Sequence, residues 1–310
     1  MFHHFHDNKI HKKSQGSISS DDFYKLIKFI GRNNILDAQE FLNRLKENKL
    51  QPKNICLTFD DAIRGQHDVA LPILEELNIK SFFFIYSSIF TDNPDLLEIY
   101  RFFRTNYFKN IDDFYNEFFK SLDKNLDIFF KDNTKIINNT KKKIPHYSIN
   151  DIKFRLVRDR LLSNEDYKKV MLEMFKIKKF DYKKYYEILF LNKQHLKKIK
   201  ELGHLIGLHS HSHPTLFESL TYDEQLNEYK SNISILSKIL NIGEGEIKFM
   251  SHPCGSYNDN TLKILQDIGI EIGFKQIMSI EKEKGMKKIN NSFLEIARQD
   301  HSTIIKMMHQ

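Results

Sequence analysis

Four short stretches of the chain hold the side chains able to do chemistry. Asp60 and Asp61 are adjacent carboxylates that follow the apolar, β-prone residues 55–59. Burying a carboxylate is costly unless a metal or an opposite charge answers it. Taken alone, the pair reads equally well as a helix N-cap. The second stretch is His209, His211 and His213, alternating within residues 207–214. The third is the Pro253-Cys254-Gly255 turn, and Asp300-His301 follows a further apolar run. Alternate residues of an extended segment share a side, so one carboxylate and two histidines can grip a divalent ion. Three protein ligands with a position left open is the layout of a catalytic zinc site. Such an ion acidifies a bound water and polarises a carbonyl. The second carboxylate then takes the water's proton, and a histidine on the far side protonates a leaving nitrogen. A lone histidine would read as a structural group; three in five residues, opposite paired aspartates, favour metal. Zinc is the first candidate for the ion, with cobalt, nickel, manganese and iron compatible with the same donors.

These residues need elements that bring them to one rim. Residues 55–59, a helix over about 68–77 and a strand over 80–86 form a strand–helix–strand unit, hence a parallel sheet with right-handed crossovers. After residue 191 the rhythm resumes: a helix over 192–202, a strand over 204–208, and a helix from the Thr221–Glu224 capping box to Leu240. Strands over 247–250, 270–274 and 293–297 follow, with a helix over 260–268 before the second of them. Residues 2–5 read as a first strand with His4 and His6 on one side. In a parallel sheet or barrel the carboxyl ends of the strands share a face. All four polar clusters fall at such ends. Residues 91–191 break the pattern: rich in Lys, Asn, Phe and Tyr, with helical spacings such as Phe114, Phe118 and Leu122, they read as a helical insertion and a candidate lid. Its aromatics are expected to form its own core.

A length of 310 residues suits one large α/β domain or two small ones. No run of 18 apolar residues is present, so no membrane span is expected. The first residues lack a basic region followed by an apolar stretch, and there are only two cysteines, Cys56 and Cys254. Both features favour a cytoplasmic location. The formal charge of +7 invites a nucleic-acid partner, but no recognition motif accompanies the lysines. A mild preference for anionic substrates is the remaining implication.

Residues 58–61 (Thr-Phe-Asp-Asp), 207–214 (Gly-Leu-His-Ser-His-Ser-His-Pro) and 253–257 (Pro-Cys-Gly-Ser-Tyr) resemble the polysaccharide deacetylases of carbohydrate esterase family four, the NodB-homology domain. The resemblance runs over about residues 54–301, interrupted by the insertion. It implies a distorted (β/α) barrel, a single domain over 1–310, and metal-dependent removal of N- or O-acyl groups from a sugar. The expected substrate is an acylated sugar, glycan or sugar nucleotide, a precursor of a cell-surface polysaccharide. By position Asp60 is the general base, and Asp61, His209 and His213 hold the metal. Ser210 orders the histidine loop, and His211 contacts substrate or supports the ligands. Pro253, Cys254, Gly255 and Arg298 line the substrate pocket. Ala62 replaces the family's glycine, and Ser251, Pro253 and Cys254 stand where an arginine, a proline and an aromatic are usual. The fourth-motif tryptophan is absent. Arg298 or Arg64 is expected to replace the arginine, and His301 to serve as general acid. Two other readings compete. An amidohydrolase-type barrel would use His4, His6 and Asp300, leaving Asp60-Asp61 without a role. A degenerate barrel would bind metal or glycan without turnover.

Overall fold

The computed structural model describes residues 1–7, 9–14, 16–122, 124–143, 147–276 and 293–310. The chain divides into two compact units, Met1–Asp95 with Glu187–Gln310, and Leu96–Tyr186.

The first unit is built on a parallel sheet. Its helices α1 (Ser20–Ile30) and α2 (Ala38–Lys46) precede strand β1 (Thr58–Phe59). Helix α3 (Leu71–Glu76) leads to β2 (Phe82–Ile85). A wider π-type turn over Gln66–Ala70 precedes α3, as expected where Pro72 cannot donate to the preceding turn. The five strands run in the order β1-β2-β3-β4-β5, all parallel, with β3 at Leu205–Leu208, β4 at Phe249–Ser251 and β5 at Ile272–Phe274. Phe82, Phe83, Phe84 and Ile85 are all fully buried, as a strand covered on both faces requires. Gly207 lets β3 lie close to its neighbours, since a Cβ there would sit 2.7 Å from the Phe249 carbonyl oxygen and from Phe84.

Single bridges extend both edges, Phe2 pairing with Phe59 and Ile296 with Phe274. The sheet then curls back on itself: the Met1 amine donates to Gln299 O (3.0 Å), and the His301 amide donates to Met1 O (3.2 Å). The fold is thus the expected distorted barrel. The edge strands expected over 2–5 and 293–297 shrink to these bridges, with a 3-10 turn over Phe293–Glu295. Crossover helices α11 (Lys193–Glu201), α12 (Tyr222–Leu240) and α13 (Asp259–Asp267) intervene, and α14 (His301–Met308) ends the chain. The Thr221–Glu224 capping box starts α12 as read from sequence.

The second unit contains α4 (Leu97–Asn106), α5 (Ile111–Lys120), α6 (Leu126–Asp132), α7 (Thr134–Lys143), α8 (Ile149–Leu156) and α9 (Asn164–Ile177). Helix α10 (Lys183–Leu189) runs across the unit's end. Asn110, Asn125, Ser148 and Ser163 cap four of these helices. Phe103, Phe114, Phe118 and Phe154 are fully buried, and Phe114 and Phe118 meet Phe154 edge to face, Phe118 at 4.9 Å. The aromatics therefore form the unit's own core.

Candidate metal and catalytic site

The register that aligns the strands puts their carboxyl ends on one rim, so Asp60 leaves β1 beside the residues that leave β3 and β4. Asp61, His209 and His213 are buried, and their ligand atoms lie within 4.8 Å of one another. His209 Nε2 is 3.0 Å and His213 Nε2 3.2 Å from the same oxygen, Asp61 Oδ1. His209 Nδ1 donates to the Ser251 carbonyl at 2.8 Å, which fixes the tautomer and leaves Nε2 as the ligand atom. Two imidazoles and one carboxylate converging in a buried corner fit a divalent ion such as zinc. Burial works against the charged form of Asp61, but His3 and His213, with hydrogen bonds from His209 and His213, hold its carboxyl well below the usual range.

Backbone strain marks the same loops. Asp61, Ala62, Ser210, His213 and Cys254 all have positive φ, between 52° and 76°. Such conformations cost non-glycine residues about 1–2 kcal/mol each and persist where surrounding structure imposes them. Ala62, where the resemblance leads one to expect glycine, is one of them (φ 53°).

Asp60 is 2% exposed and held by three hydrogen bonds from two residues. Arg298 grips it with Nη1 on Oδ1 and Nη2 on Oδ2, both 2.7 Å, and Ser251 Oγ donates at 3.1 Å. Burial raises its pKa, but Arg298 and then His209 outweigh this and bring it to about 2. Arg298, expected among the substrate contacts, is instead buried. Its remaining donors go to Lys275 O, Thr58 Oγ1 and Ser251 Oγ. Of the two arginines expected to replace the third-motif arginine, Arg298 is the one that reaches Asp60, from the other edge of the curled sheet. Arg64 pairs with Asp68 and Glu187 O.

The imidazole facing both carboxylates is His3, with Nε2 3.9 Å from Asp60 Oδ2 and 3.8 Å from Asp61 Oδ2. Gln66 ties it to the site by donating to both His3 O (2.9 Å) and Asp60 O (2.5 Å). Burial lowers the His3 pKa while the two aspartates pull it up. His301, expected as the acid, is turned away: its Nε2 donates to Gly16 O (3.0 Å) and its ring stacks on Phe2. His6 pairs with Ser17 Oγ, and Asp300 caps α14. The His4–His6–Asp300 constellation of the amidohydrolase reading therefore does not assemble. No local sequence signal singled out His3: the pairing of Phe2 with Phe59 is what puts the next residue opposite Asp60.

His211 supports the histidine loop. Its Nδ1 lies 3.0 Å from Ser87 Oγ and its carbonyl accepts from the Ser88 amide. Glu228 of α12 accepts from the His211 and Ser212 amides and the Ser212 hydroxyl, and Asn232 bridges His209 N to Ile85 O. Pro253, Cys254 and Gly255 form a tight turn with Pro253 buried and Cys254 exposed. From that motif it is the preceding Ser251 that touches both Asp60 and His209.

The family model for polysaccharide deacetylase matches residues 47–101 and 159–273. Among solved structures, the chain is similar to IcaB from Ammonifex degensii, with TM-score 0.55, 12% identity, 99% of this chain and 93% of that one covered. The Streptococcus pyogenes deacetylase PplD in complex with acetate gives TM-score 0.53 and 17% identity over 96% and 88% of the two chains. A de-N-acetylase from Aggregatibacter actinomycetemcomitans gives 0.53 and 11% over 96% and 92%. No curated protein matches. A barrel of this topology, its rim motifs and a family match over more than half its length together make the chain a member of the polysaccharide deacetylase family, carbohydrate esterase family four.

Proposed function

We propose that the protein is a metal-dependent hydrolase that removes an N-acyl group, acetyl in the first instance, from a sugar unit of a glycan or glycan precursor. The observation that carries this is the buried Asp61–His209–His213 group with Asp60 clamped beside it. A divalent ion held by those three residues, zinc in the first instance, supplies Lewis acidity toward the acyl carbonyl and lowers the pKa of water.

The chain's own residues do the rest. Arg298 and Ser251 keep Asp60 ionised and aimed. Asp60 takes the proton as the water oxygen bonds to the acyl carbon. His3, within 4 Å of both carboxylates, is placed to return a proton to the sugar nitrogen as the C–N bond breaks. The products are a carboxylate and a free amine. The test is elemental analysis of the purified protein beside Asp61→Ala and His209→Ala/His213→Ala, with acetate release from acetamido sugars. About one divalent ion per chain, lost together with acetate release in the variants, supports the reading. No metal uptake after reconstitution with zinc, cobalt and nickel would sink it.

A further inference from the structure

The helical unit holds the whole of the protein's positive charge surplus. Residues 96–186 contain 21 Lys and Arg against 13 Asp and Glu, whereas the rest of the chain has 27 against 28. Most of that surplus is exposed lysine, which needs no ligand. One part of it is not. Arg104, half-buried on α4, has no hydrogen bond and no carboxylate at ion-pair distance among the described residues. Its guanidinium carbon lies 5.5 Å from the centre of the Phe154 ring, and that of Arg158 lies 5.9 Å from the same ring. Burial, and the like charges of Arg155 and Arg158, lower its pKa, partly offset by Tyr167 and Tyr115.

The neighbours are already matched. Arg158 holds Asp159 through two bonds of 2.6 and 2.8 Å, and Arg155 holds Asp151 at 3.2 Å. Asp151 also accepts from Tyr115 (2.9 Å). Three arginines thus face two aspartates, and Arg104 is the surplus guanidinium. A ring face attracts a cation but accepts none of its N–H bonds. An arginine kept among other arginines, with its donors unspent, is the arrangement that receives an oxyanion.

We propose that Arg104, with Arg155 and Arg158 beside it, forms an anion subsite in the helical unit that takes a phosphoryl group. A phosphoryl group brings close to two negative charges and three acceptor oxygens, enough to accept from several guanidinium groups at once. The subsite does not rest on the deacetylase reading.

Calorimetric titration of the full chain with pyrophosphate, after chelation so that no ion at Asp61, His209 and His213 contributes, tests it. One pyrophosphate per chain is expected, weakened at least about tenfold in Arg104→Gln. It should stay within about threefold of wild type in Arg104→Lys and within about twofold in Lys168→Gln/Lys169→Gln, which removes exposed charge from the same unit. Should Arg104→Gln fail to fold, Arg158→Gln must show the weakening instead. A diphosphate-linked sugar and phosphatidylglycerol vesicles then separate soluble from lipid sources, and binding of either with the same Arg104 dependence supports the subsite. Equal binding by wild type and Arg104→Gln, or an equal loss in the lysine variant, overturns it.

Discussion

The barrel rim and the helical unit handle charge in opposite ways. At the rim every buried charge has an answer: Asp60 faces Arg298, and Asp61 faces His209, His213 and His3. Polar side chains tie the histidine loop there: Asn232 accepts from His209 N, and Glu228 from the His211 and Ser212 amides. In the helical unit aromatic rings carry the core and an excess of basic residues lies around it. At the rim, chemistry and stability therefore reside in the same groups. In the helical unit they are separable.

The sharpest way to break this comparison is at Asp60. Asp60→Asn should lower turnover by about a hundred- to ten-thousandfold. It should also destabilise by about 3–5 kcal/mol, because Arg298 is left buried without its carboxylate. Adding Arg298→Met should recover most of the stability and none of the turnover, read by urea unfolding beside acetate release. If the double variant is no more stable than Asp60→Asn, the ion pair is not what holds the rim. The helical counterpart is Phe118→Ala. Emptying a site closed by Phe114, Phe154 and Tyr167 should cost about 3–5 kcal/mol. Hydrogen exchange should locate the loss in residues 96–186, with the amides of β2 and β3 unchanged.

The two regions were not equally legible in the sequence. The parallel rhythm, the capping box at Thr221 and the metal donors follow from local signals: apolar runs, a cap and alternating histidines. The aromatic spacing of residues 114–122 likewise identified a self-contained core. What escaped were long-range pairings. Arg298 reaches Asp60 across 238 residues because the sheet curls until its two edges meet, and no local period encodes that closure. His3 escaped because alternation along a strand groups His4 and His6, whereas the residue leaving a strand end is set by the register of Phe2 on Phe59. His301 lies only three residues after Arg298, but its ring is spent on Gly16 and Phe2.

A histidine at each end of β3 sharpens the contrast within the barrel. His209 leaves the strand at the rim, whereas His204 enters it at the opposite end, 2% exposed. Its Nδ1 accepts from the Ser81 amide (3.0 Å), and its Nε2 has no partner among the described residues. Burial, then Lys80, bring its pKa down to about 4, with Asp37 opposing. Between pH 6.5 and 4 the unfolded chain binds a proton that the folded one refuses, so stability falls as pH falls across that window. The loss from this group is roughly 3 kcal/mol. His204→Asn keeps an acceptor for Ser81 and removes the titration, so its stability curve should be flatter by that amount. An unchanged slope would mean that other groups set the acid sensitivity.

The smallest effect tests whether the rim is held by charge or by hydrogen-bond geometry. Glu228 spans three donors of the histidine loop at 2.6–2.8 Å. It contacts neither Asp61 nor the imidazoles of His209 and His213. Glu228→Ala strips acceptors from the His211 and Ser212 amides and frees the segment between the two ligand histidines. Metal affinity should then fall about ten- to a hundredfold, as when other outer supports of metal ligands are removed. Glu228→Gln keeps a carbonyl oxygen where Oε2 accepts both amides, and its NH2 can donate to the Ser212 hydroxyl. A loss of no more than about threefold is expected there, in a competition assay with a chromogenic chelator. If glutamine costs as much as alanine, the carboxylate acts on the site through its charge. The rim would then depend on balanced electrostatics even where no ion pair is formed.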